Sequence, residues 1–514
     1  MPHFILAHDL GTTGNKATLF DDEGHLVASA FGAYEVSYPQ PTWAEQNAED
    51  WWRAVVETTR QLFSHSPVKP SEIAVISFSG QMQGCLPVDK AGRPLRTCII
   101  WADQRAVAQA AQLADRVGEE RVYRITGNRI SPTYSAAKIM WVRDHEPQIF
   151  SQTHKFLHVK DYIAYRMSGV FATDRSDAGG MNLYDLDRGT WSEEILQAAG
   201  LDPGRLPDIR NSTEVIGEVT REAAAELGLR AGTPVVIGGG DGASAAVGAG
   251  AIAEGRAYNY LGSSSWISFA SPRPIYDPQR RFFNLVHMVP GLFAPCGTMQ
   301  TAGGSYQWLR REICLAEGRE SEESGIDVYE IMNQRAAESV AGAHGLLFLP
   351  HLQGERSPYW NPRARGAFVG LQITHTRADL IRSVLEGIAL NLRTILQAYL
   401  ENGARIDELV VIGGAAKGQQ LRQILADVFD RPILRPRLLD EATSLGAAVA
   451  GGVGAGLFRD FSAVHQFNEI VDRQDPDPKR ALVYENLHST FLATYEALVP
   501  VFDQLERLTE PAQT

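Results

Sequence analysis

The chain has 514 residues, a formal net charge of −13 at pH 7, 44% hydrophobic residues and 21% charged residues. At about 150 residues per domain this length predicts two to four domains, and the acidic balance argues against nucleic acid or an anionic membrane as the main partner. Four cysteines without C-x-x-C spacing, no signal peptide and no bilayer-length apolar run lead us to expect a soluble cytoplasmic protein with reduced thiols and no zinc site.

The first elements form a predicted β-hairpin around a glycine-threonine turn. Residues 4–7, 17–20 and 26–31 are predicted strands, and Asp9 stands just before the turn at 10–16. Such a turn can offer backbone N–H groups and hydroxyls to phosphate oxygens, and Asp9 can hold Mg²⁺ directly or through water. A simple hairpin turn is the alternative interpretation.

Two further strands, over 73–78 and 94–101, end in polar loops. Ligands of α/β sheets gather at the carboxyl ends of strands, so we expect Gln83, Trp101 and Asp103 to converge on a small polar substrate. Gln83 offers an amide, Asp103 accepts from hydroxyls, and Trp101 offers an apolar face for a sugar. Ordinary loop polarity and a structural tryptophan are the alternative.

Helices are predicted after Ser131 and over 160–168. Ser131 and Thr133, at the start of the first helix, are expected to face the same polar site. Residues 173–177 contain more acids than a simple turn needs, and we interpret them as a turn with a helix cap.

The centre of the chain places one carboxylate on a strand-to-helix turn. A β-branched strand at 235–237 leads through the glycines at 238–240 to Asp241, and a small-residue helix follows over 243–251. Glycines allow a ligand to approach the backbone closely. A carboxylate at this turn can take the proton of a substrate hydroxyl.

Two other interpretations of this turn stay open on its residues alone. Asp241 could only cap the following helix, because aspartate is a favoured N-cap residue. The turn also fits the dinucleotide motif G-x-G-x-x-A, but the acidic residue expected about 20 positions later is missing.

A second hairpin opens the other half of the chain. Strands are predicted over 257–261 and 266–270, joined by a glycine-serine turn at 262–265. This arrangement repeats that of residues 4–20. The repeat predicts a duplicated fold with nucleotide phosphates clamped between its halves.

The remaining elements are mostly helical. A long helix is predicted over 377–400, and a strand at 408–412 leads into small residues at 413–417 that let an adenine lie against the backbone. A small-residue helix at 440–452 suits close packing at an interdomain cleft, and a final helix is predicted over 481–508.

Six motifs in this order resemble those of the FGGY carbohydrate kinases, a family of the actin-like and ribonuclease-H-like ATPase superfamily. The resemblance covers essentially the whole chain, and the motifs that carry it are DLGTT at 9–13, SGQMQG at 79–84, GGDG at 239–242, GERSP at 354–358, GGAAKGQQLRQILADVF at 413–429 and EATSLG at 441–446.

The resemblance implies an α/β fold of two actin-like domains with the active-site cleft between them. Residues 1–250 would form the sugar-binding domain with the catalytic aspartate, and residues 251–514 the nucleotide-binding domain with the C-terminal helix. The implied reaction transfers the γ-phosphoryl group of MgATP to a sugar or polyol hydroxyl.

The resemblance also assigns residues to roles. Asp241 would be the general base and Asp9 would support Mg²⁺. The implied ATP-binding positions are Gly11, Thr12, Thr13, Lys16, Gly262, Ser263, Gly303, Gln307, Gly413, Gly414, Ala415, Ala416 and Lys417. The implied substrate-binding positions are Met82, Gln83, Trp101, Asp103, Thr133 and Asp241.

Within the family, the sugar-loop residues most resemble those of xylulokinases, which implies D-xylulose as substrate and D-xylulose 5-phosphate as product. Gln83 departs from the histidine usual in that group, so another ketose, a polyol or gluconate stays an alternative. Glycerol is disfavoured, because Met82 and Gln83 replace the Arg-Glu pair of glycerol kinases. A non-catalytic actin-like scaffold and a dehydrogenase are the rival classes, and the oligomeric state is left open, a homodimer included.

Overall fold

The computed structural model describes residues 3–509, and its strands form two seven-stranded sheets. The N-terminal sheet consists of β1 (Phe4–Leu10), β2 (Gly14–Asp21), β3 (Leu26–Ala33), β4 (Ile73–Gly80), β5 (Val215–Glu218), β6 (Pro234–Val236) and β7 (Gly239–Gly240). The C-terminal sheet consists of β8 (Gly255–Leu261), β9 (Ser265–Phe269), β10 (Phe283–Val286), β11 (Phe293–Met299), β12 (Ile406–Ile412), β13 (Ile433–Pro436) and β14 (Ile470–Gln474). Short two-stranded ladders lie outside both sheets.

Helices cover and connect the sheets. In the first half they are α1 (Ala48–His65), α2 (Val107–Val117), α3 (Glu119–Thr126), α4 (Ser135–His145), α5 (Pro147–Gln152), α6 (Val159–Ser168), α7 (Arg175–Gly179), α8 (Glu193–Ala199), α9 (Arg221–Leu227) and α10 (Asp241–Gly248). In the second half they are α11 (Gly303–Glu312), α12 (Leu315–Ser324), α13 (Val328–Glu338), α14 (Arg377–Glu401), α15 (Gln419–Phe429), α16 (Ala442–Gly454), α17 (Val464–Phe467) and α18 (Pro478–Thr509).

The two sheets repeat one pattern of strand directions. In the N-terminal sheet the order is β5-β6-β4-β1-β2-β3, and β1 runs antiparallel to β2 but parallel to β4. In the C-terminal sheet the order is β10-β11-β9-β8-β12-β13-β14, and β8 runs antiparallel to β9 but parallel to β12. The outer pairs β5–β6 and β13–β14 are both antiparallel. The duplicated fold predicted from the two hairpins is therefore confirmed.

The alternation of side chains along β1 explains how the N-terminal sheet is covered. Leu6 and Leu10 lie in one core cluster with residues of α1, whereas Ile5 and Ala7 lie in another with residues of α16. Successive strand residues point to opposite faces, so the part of β1 that is covered on both faces, Phe4 to Ala7, is an unbroken apolar run.

Helices α10 and α16 join the two halves at a close crossing. A Cβ atom on Gly248 would lie 1.7 Å from the backbone oxygen of Ala442, and one on Gly446 would lie 1.9 Å from that of Ser244. Alanines of α10 pack with residues of β8 and β12, while α16 packs on the N-terminal sheet. The small residues at 440–452, from which close packing at a cleft was predicted, allow the two helices to approach closely at this crossing.

Several predicted boundaries need correction. The strand expected over 94–101 is confined to Cys98–Ile99, because Pro94 lacks an N–H donor and the side chains of Arg96 and Thr97 bind Glu45 instead. The central helix begins at Asp241, two residues before its predicted start, and the last helix begins at Pro478 rather than at 481.

The domain division at 250 stays a prediction, with one sheet on each side of it. Within the described range, none of the helices is long and apolar enough to cross a membrane.

Candidate active site

Asp241 lies at the first position of α10, directly after the short strand β7. Its side chain makes no capping hydrogen bond across the first turn of α10; instead its carboxylate accepts a hydrogen bond from the adjacent Gly242 N at 2.7 Å. The N-cap position belongs to Gly240. The capping interpretation of Asp241 is therefore wrong, and its partly exposed carboxylate is available to a ligand.

The electrostatic surroundings of Asp241 favour a proton acceptor that works near neutral pH. Burial raises its pKa to about 7, and the neighbouring Asp9 and Asp177 carboxylates add to the rise. General bases work best when their pKa lies near the working pH.

Asp9 lies near the end of β1, opposite Lys16 on β2. Its side chain is partly exposed, and burial raises its pKa while the nearby Ser79 and Lys16 oppose the rise. A partly exposed carboxylate with the Asp241 carboxylate nearby fits a magnesium ligand, since Mg²⁺ prefers one or two carboxylates and retained waters.

The turn after Asp9 is held in shape through its carbonyl groups. Gly11 O accepts hydrogen bonds from Tyr34 Oη at 2.5 Å and from Gln81 Nε2 at 3.2 Å. Thr12 Oγ1 accepts one from Trp101 Nε1 at 2.9 Å. Trp101 therefore ties the predicted sugar loop to the predicted phosphate turn.

The glycine-serine turn at 262–265, which matches the turn after Asp9, is hydrogen-bonded to the start of α11. Gly303 N donates to Gly262 O at 3.0 Å, and Gly304 N donates to Ser263 O at 2.9 Å. A Cβ atom on Gly303 would lie 2.5 Å from Gly262 O, so only glycine fits there. Gln307 lies one turn further along α11 and is exposed.

The predicted adenosine segment starts at the end of β12. Gly413 has φ +89°, and a Cβ atom there would lie 2.8 Å from Leu261 O, so this segment touches the end of β8. Gly414 and Lys417 are exposed, Ala415 is partly exposed and Ala416 is buried.

Two predicted ATP-binding lysines meet at one acidic residue. Lys16 Nζ, from the N-terminal sheet, donates to Asp440 O at 2.7 Å, and Lys417 Nζ lies 2.6 Å from Asp440 Oδ2. The structure thus brings predicted residues from both halves together beside the α10–α16 crossing.

Met82 packs against the turn that carries Asp241, and Gln83 lies beside Gly180 at the end of α7. A Cβ atom on Gly240 would lie 2.7 Å from Met82 Cγ, and one on Gly180 would lie 3.7 Å from Gln83 Cγ. Gln83 has φ +64°, and its backbone oxygen is held by Lys138 Nζ at 2.9 Å. Thr133 is partly exposed, and its Oγ1 lies 2.9 Å from Ser131 Oγ.

Asp103 does not face the cleft, which corrects its predicted substrate role. The residue is fully buried, Arg105 binds both of its carboxylate oxygens at 2.7–3.0 Å, and Ala44 N donates to Oδ2 at 2.6 Å. Its oxygens are therefore occupied by protein donors, and it orders the loop that carries Trp101.

Sequence reasoning missed a tyrosine that links the C-terminal sheet to the turn of Asp241. Tyr258 Oη donates to Gly242 O at 2.6 Å and accepts from Trp266 Nε1 at 2.8 Å. Tyr258 lies on β8, where a regular strand pattern gives no sign of such a contact.

An arginine pair beside the predicted sugar-facing residues was also missed. The guanidinium carbons of Arg129 and Arg356 lie 5.2 Å and 5.9 Å from the centroid of the Trp360 ring, which packs on a cluster that includes Met82. Within residues 3–509, neither arginine has a carboxylate within 4.0 Å. Arg129 and Arg356 are far apart in the sequence, and nothing in the sequence indicates that both contact one ring.

The third missed feature is a buried charged cluster at 158–177, behind the turn of Asp241. The excess of acids at 173–177 was its only sign. Asp174 does cap α7, as predicted, but the cap is not its only contact.

Comparison with known sequences gives two family matches that together cover most of the chain. Residues 4–248 match the N-terminal domain of the FGGY family of carbohydrate kinases, and residues 257–455 match the C-terminal domain of that family.

Individual relatives match over nearly the full length. The chain is 32% identical to a gluconokinase of Bacillus subtilis, over 100% of this chain and 98% of the relative. It is 33% identical to a xylulose kinase of Escherichia coli, over 96% of this chain and 99% of the relative. The crystal structure of a ligand-bound xylulose kinase from Lactobacillus acidophilus superposes with a TM-score of 0.90 at 28% identity, over 98% of this chain and 100% of that one.

Proposed function

The chain belongs to the FGGY family of carbohydrate kinases, and from this premise we propose that it transfers the γ-phosphoryl group of MgATP to a hydroxyl of D-xylulose or a closely related open-chain acceptor. The observation that carries the proposal is the partly exposed Asp241, with a pKa raised to about 7, on a turn that residues of both halves contact.

In this proposal Asp241 accepts the proton of the attacking hydroxyl as that oxygen bonds to the γ-phosphorus of ATP, while the bond from this phosphorus to the β,γ-bridging oxygen breaks and ADP leaves. Positioning and charge neutralisation provide most of the catalysis of phosphoryl transfer, with general-base help of about 10²–10⁴-fold. Bound Mg²⁺ at Asp9 would neutralise phosphate charge. The turns at 11–13 and 262–263 would hold the phosphates, and the segment at 413–417 would hold the adenosine.

D-Xylulose is the acceptor that the sugar-loop residues favour, and its product would be D-xylulose 5-phosphate. The proposal is supported by Met82, which packs against the turn of Asp241, by the neighbouring Gln83, and by the xylulose kinase relatives. A cytoplasmic location belongs to the same proposal and agrees with four cysteines that are all buried and free.

D-Gluconate is the second candidate, and one observation favours it. Arg129 and Arg356 lie on the Trp360 ring beside the cluster of Met82, and among the described residues no carboxylate oxygen lies within 4.0 Å of either guanidinium. A sugar acid would supply the missing carboxylate, because guanidinium groups pair well with carboxylates. A gluconokinase also stands among the full-length relatives.

The test is ADP release by the purified protein with MgATP and a panel of ketopentoses, ketohexoses, aldonates and polyols. We expect D-xylulose or D-gluconate to give the strongest response. Binding of MgATP without a response to any acceptor would overturn the proposed reaction and favour a nucleotide-binding scaffold.

The arginine pair separates the two acceptors. If gluconate is the substrate, Arg356→Met raises its KM by about 10–100-fold, the size expected for a lost hydrogen bond to a charged group. With D-xylulose as the substrate, the same variant leaves KM within about twofold, since a neutral ketose offers no charge to the guanidinium. Arg121→Met, at an exposed arginine paired with Glu194, is the matched control.

A further inference from the structure

The charged cluster behind the turn of Asp241 is completely enclosed. Lys160 Nζ lies 2.7 Å from Asp161 Oδ1, 3.0 Å from Asp174 Oδ1 and 3.1 Å from Asp177 Oδ2, and all four side chains have 0% exposure. His158 completes the cluster, with Nδ1 3.2 Å from Asp161 Oδ2. The three acids surround the Lys160 ammonium, which supplies the positive charge that a metal ion would otherwise bring.

Burial of such a cluster is weak evidence for stability, because removing several charges from water is costly even when they are paired. Three carboxylates around one ammonium also leave net negative charge in the interior. Stability alone therefore does not explain the cluster, and the contacts of its individual acids indicate a further role.

Asp174 differs from the other two acids in its contacts. Its Oδ2 accepts hydrogen bonds from Ser176 N at 2.8 Å, Ser176 Oγ at 2.6 Å and Ser212 Oγ at 2.8 Å. One carboxylate oxygen therefore holds two serines that lie far apart in the sequence.

Both serines hold the glycine turn that leads to Asp241. Gly240 N donates to Ser176 Oγ at 2.9 Å, and Gly238 N donates to Ser212 O at 3.1 Å. The turn has no side chains of its own before Asp241, so backbone hydrogen bonds of this kind determine its position.

The charge on Asp174 also sets the direction of one of these hydrogen bonds. Because Ser176 Oγ donates its proton to the carboxylate, its lone pairs are free to accept from Gly240 N. An amide at position 174 could place its NH₂ group toward Lys160 or toward the serine hydroxyls. The first orientation loses the acceptor for the Lys160 ammonium, and the second loses the acceptor for the serine protons.

We propose that Asp174 is a positioning residue, which acts through Ser176 and Ser212 to hold the turn of Asp241 in its catalytic place. The inference rests on the proposed function, since it assumes that Asp241 is the general base. A displacement of about 1 Å at a reacting group can lower the rate by about 10²-fold.

The test compares Asp174→Asn with Asp161→Asn. Both variants remove one buried carboxylate from Lys160, but Asp161 makes no hydrogen bond to Ser176 or Ser212 among the described residues. We expect Asp174→Asn to lower kcat by about 10–100-fold with an unchanged Kd for MgATP, and Asp161→Asn to keep kcat within about threefold whatever its melting temperature. Equal losses of kcat in both variants would overturn the proposal.

Two further measurements distinguish a positioning role of Asp174 from a loss of folding and from a failure of the proposed reaction. Ser176→Ala should lower kcat, and adding it to Asp174→Asn should lower kcat little further, because both act through one hydrogen-bonded chain. Amide hydrogen exchange of the peptide over 238–240 should accelerate in Asp174→Asn and Ser176→Ala but not in Asp161→Asn. Unchanged exchange in Asp174→Asn would contradict the proposal, whereas full activity of Asp241→Ala would instead contradict the proposed function.

Discussion

Asp241 is the residue on which the proposed chemistry depends most directly. Asp241 is partly exposed, and its carboxylate accepts a hydrogen bond from Gly242 N. Replacement by alanine should lower kcat by at least about 10²–10⁴-fold, since the substrate hydroxyl then loses its proton acceptor. Binding of MgATP, measured by calorimetry, should persist, because the proposed ATP-binding turns are elsewhere. Asp22→Ala, at an exposed acid in the β2–β3 turn, is the control, and normal turnover by Asp241→Ala would refute the assignment.

The pKa of Asp241 leads to a prediction about pH. Burial, Asp9 and Asp177 raise this pKa to about 7, so the carboxyl group becomes protonated, and unable to accept a proton, as the pH falls through that value. The rate should therefore fall on the acid side. Asp177→Asn removes one nearby negative charge, which lowers the pKa of Asp241 and should move the acid limb of kcat/KM to lower pH. Profiles of the two proteins that superimpose would show that Asp177 does not influence the base.

At the scale of elements, the crossing of α10 and α16 depends on glycine. A Cβ atom on Gly248 would lie 1.7 Å from a backbone oxygen, which cannot move aside as a flexible side chain can. Gly248→Ala should lower the free energy of unfolding by about 1–3 kcal/mol or more, as overpacking does. Gly318→Ala on α12, where no atom lies within 4 Å of the added Cβ, should instead raise it by about 0.5–1 kcal/mol. Urea denaturation of both variants measures the difference, and equal stabilities would contradict close packing at the crossing.

Elements with a local pattern were predictable from the sequence, and contacts between distant elements were not. The hairpin at 257–270 was visible because a glycine-serine turn separates two apolar runs, and it became β8 and β9. Asp103 was misassigned because nothing in the sequence shows that Arg105 folds back onto its carboxylate. The acids at 173–177 were seen, but their partner Lys160 comes from a different helix.

At the scale of the whole molecule, the two halves are joined through buried helices and through several polar contacts, one of which lies near the surface beside the proposed phosphate turn. The buried joint at α10 and α16 is apolar and rigid in its packing, whereas Lys16 reaches from the N-terminal sheet to Asp440 O in the other half. Phosphoryl transfer in a cleft requires both halves to hold ATP and acceptor in line. The polar contact therefore affects geometry at the cleft more than it affects stability.

The variant Lys16→Met tests whether this contact affects the cleft more than it affects stability. Lys16 Nζ also lies 3.8 Å from Glu441 Oε1, with both side chains partly exposed, and such surface pairs contribute about 0–1 kcal/mol to stability. The melting temperature should hence change little. The KM for MgATP should rise about tenfold or more, because a positive charge beside the proposed phosphate turn is lost together with a contact between the halves. Lys155→Met removes a lysine whose Nζ binds Gly204 O and Leu206 O within one half, so it should leave KM unchanged. A KM that stays at the parent value in Lys16→Met would remove Lys16 from the nucleotide site, and a large fall in melting temperature would make it a structural link instead.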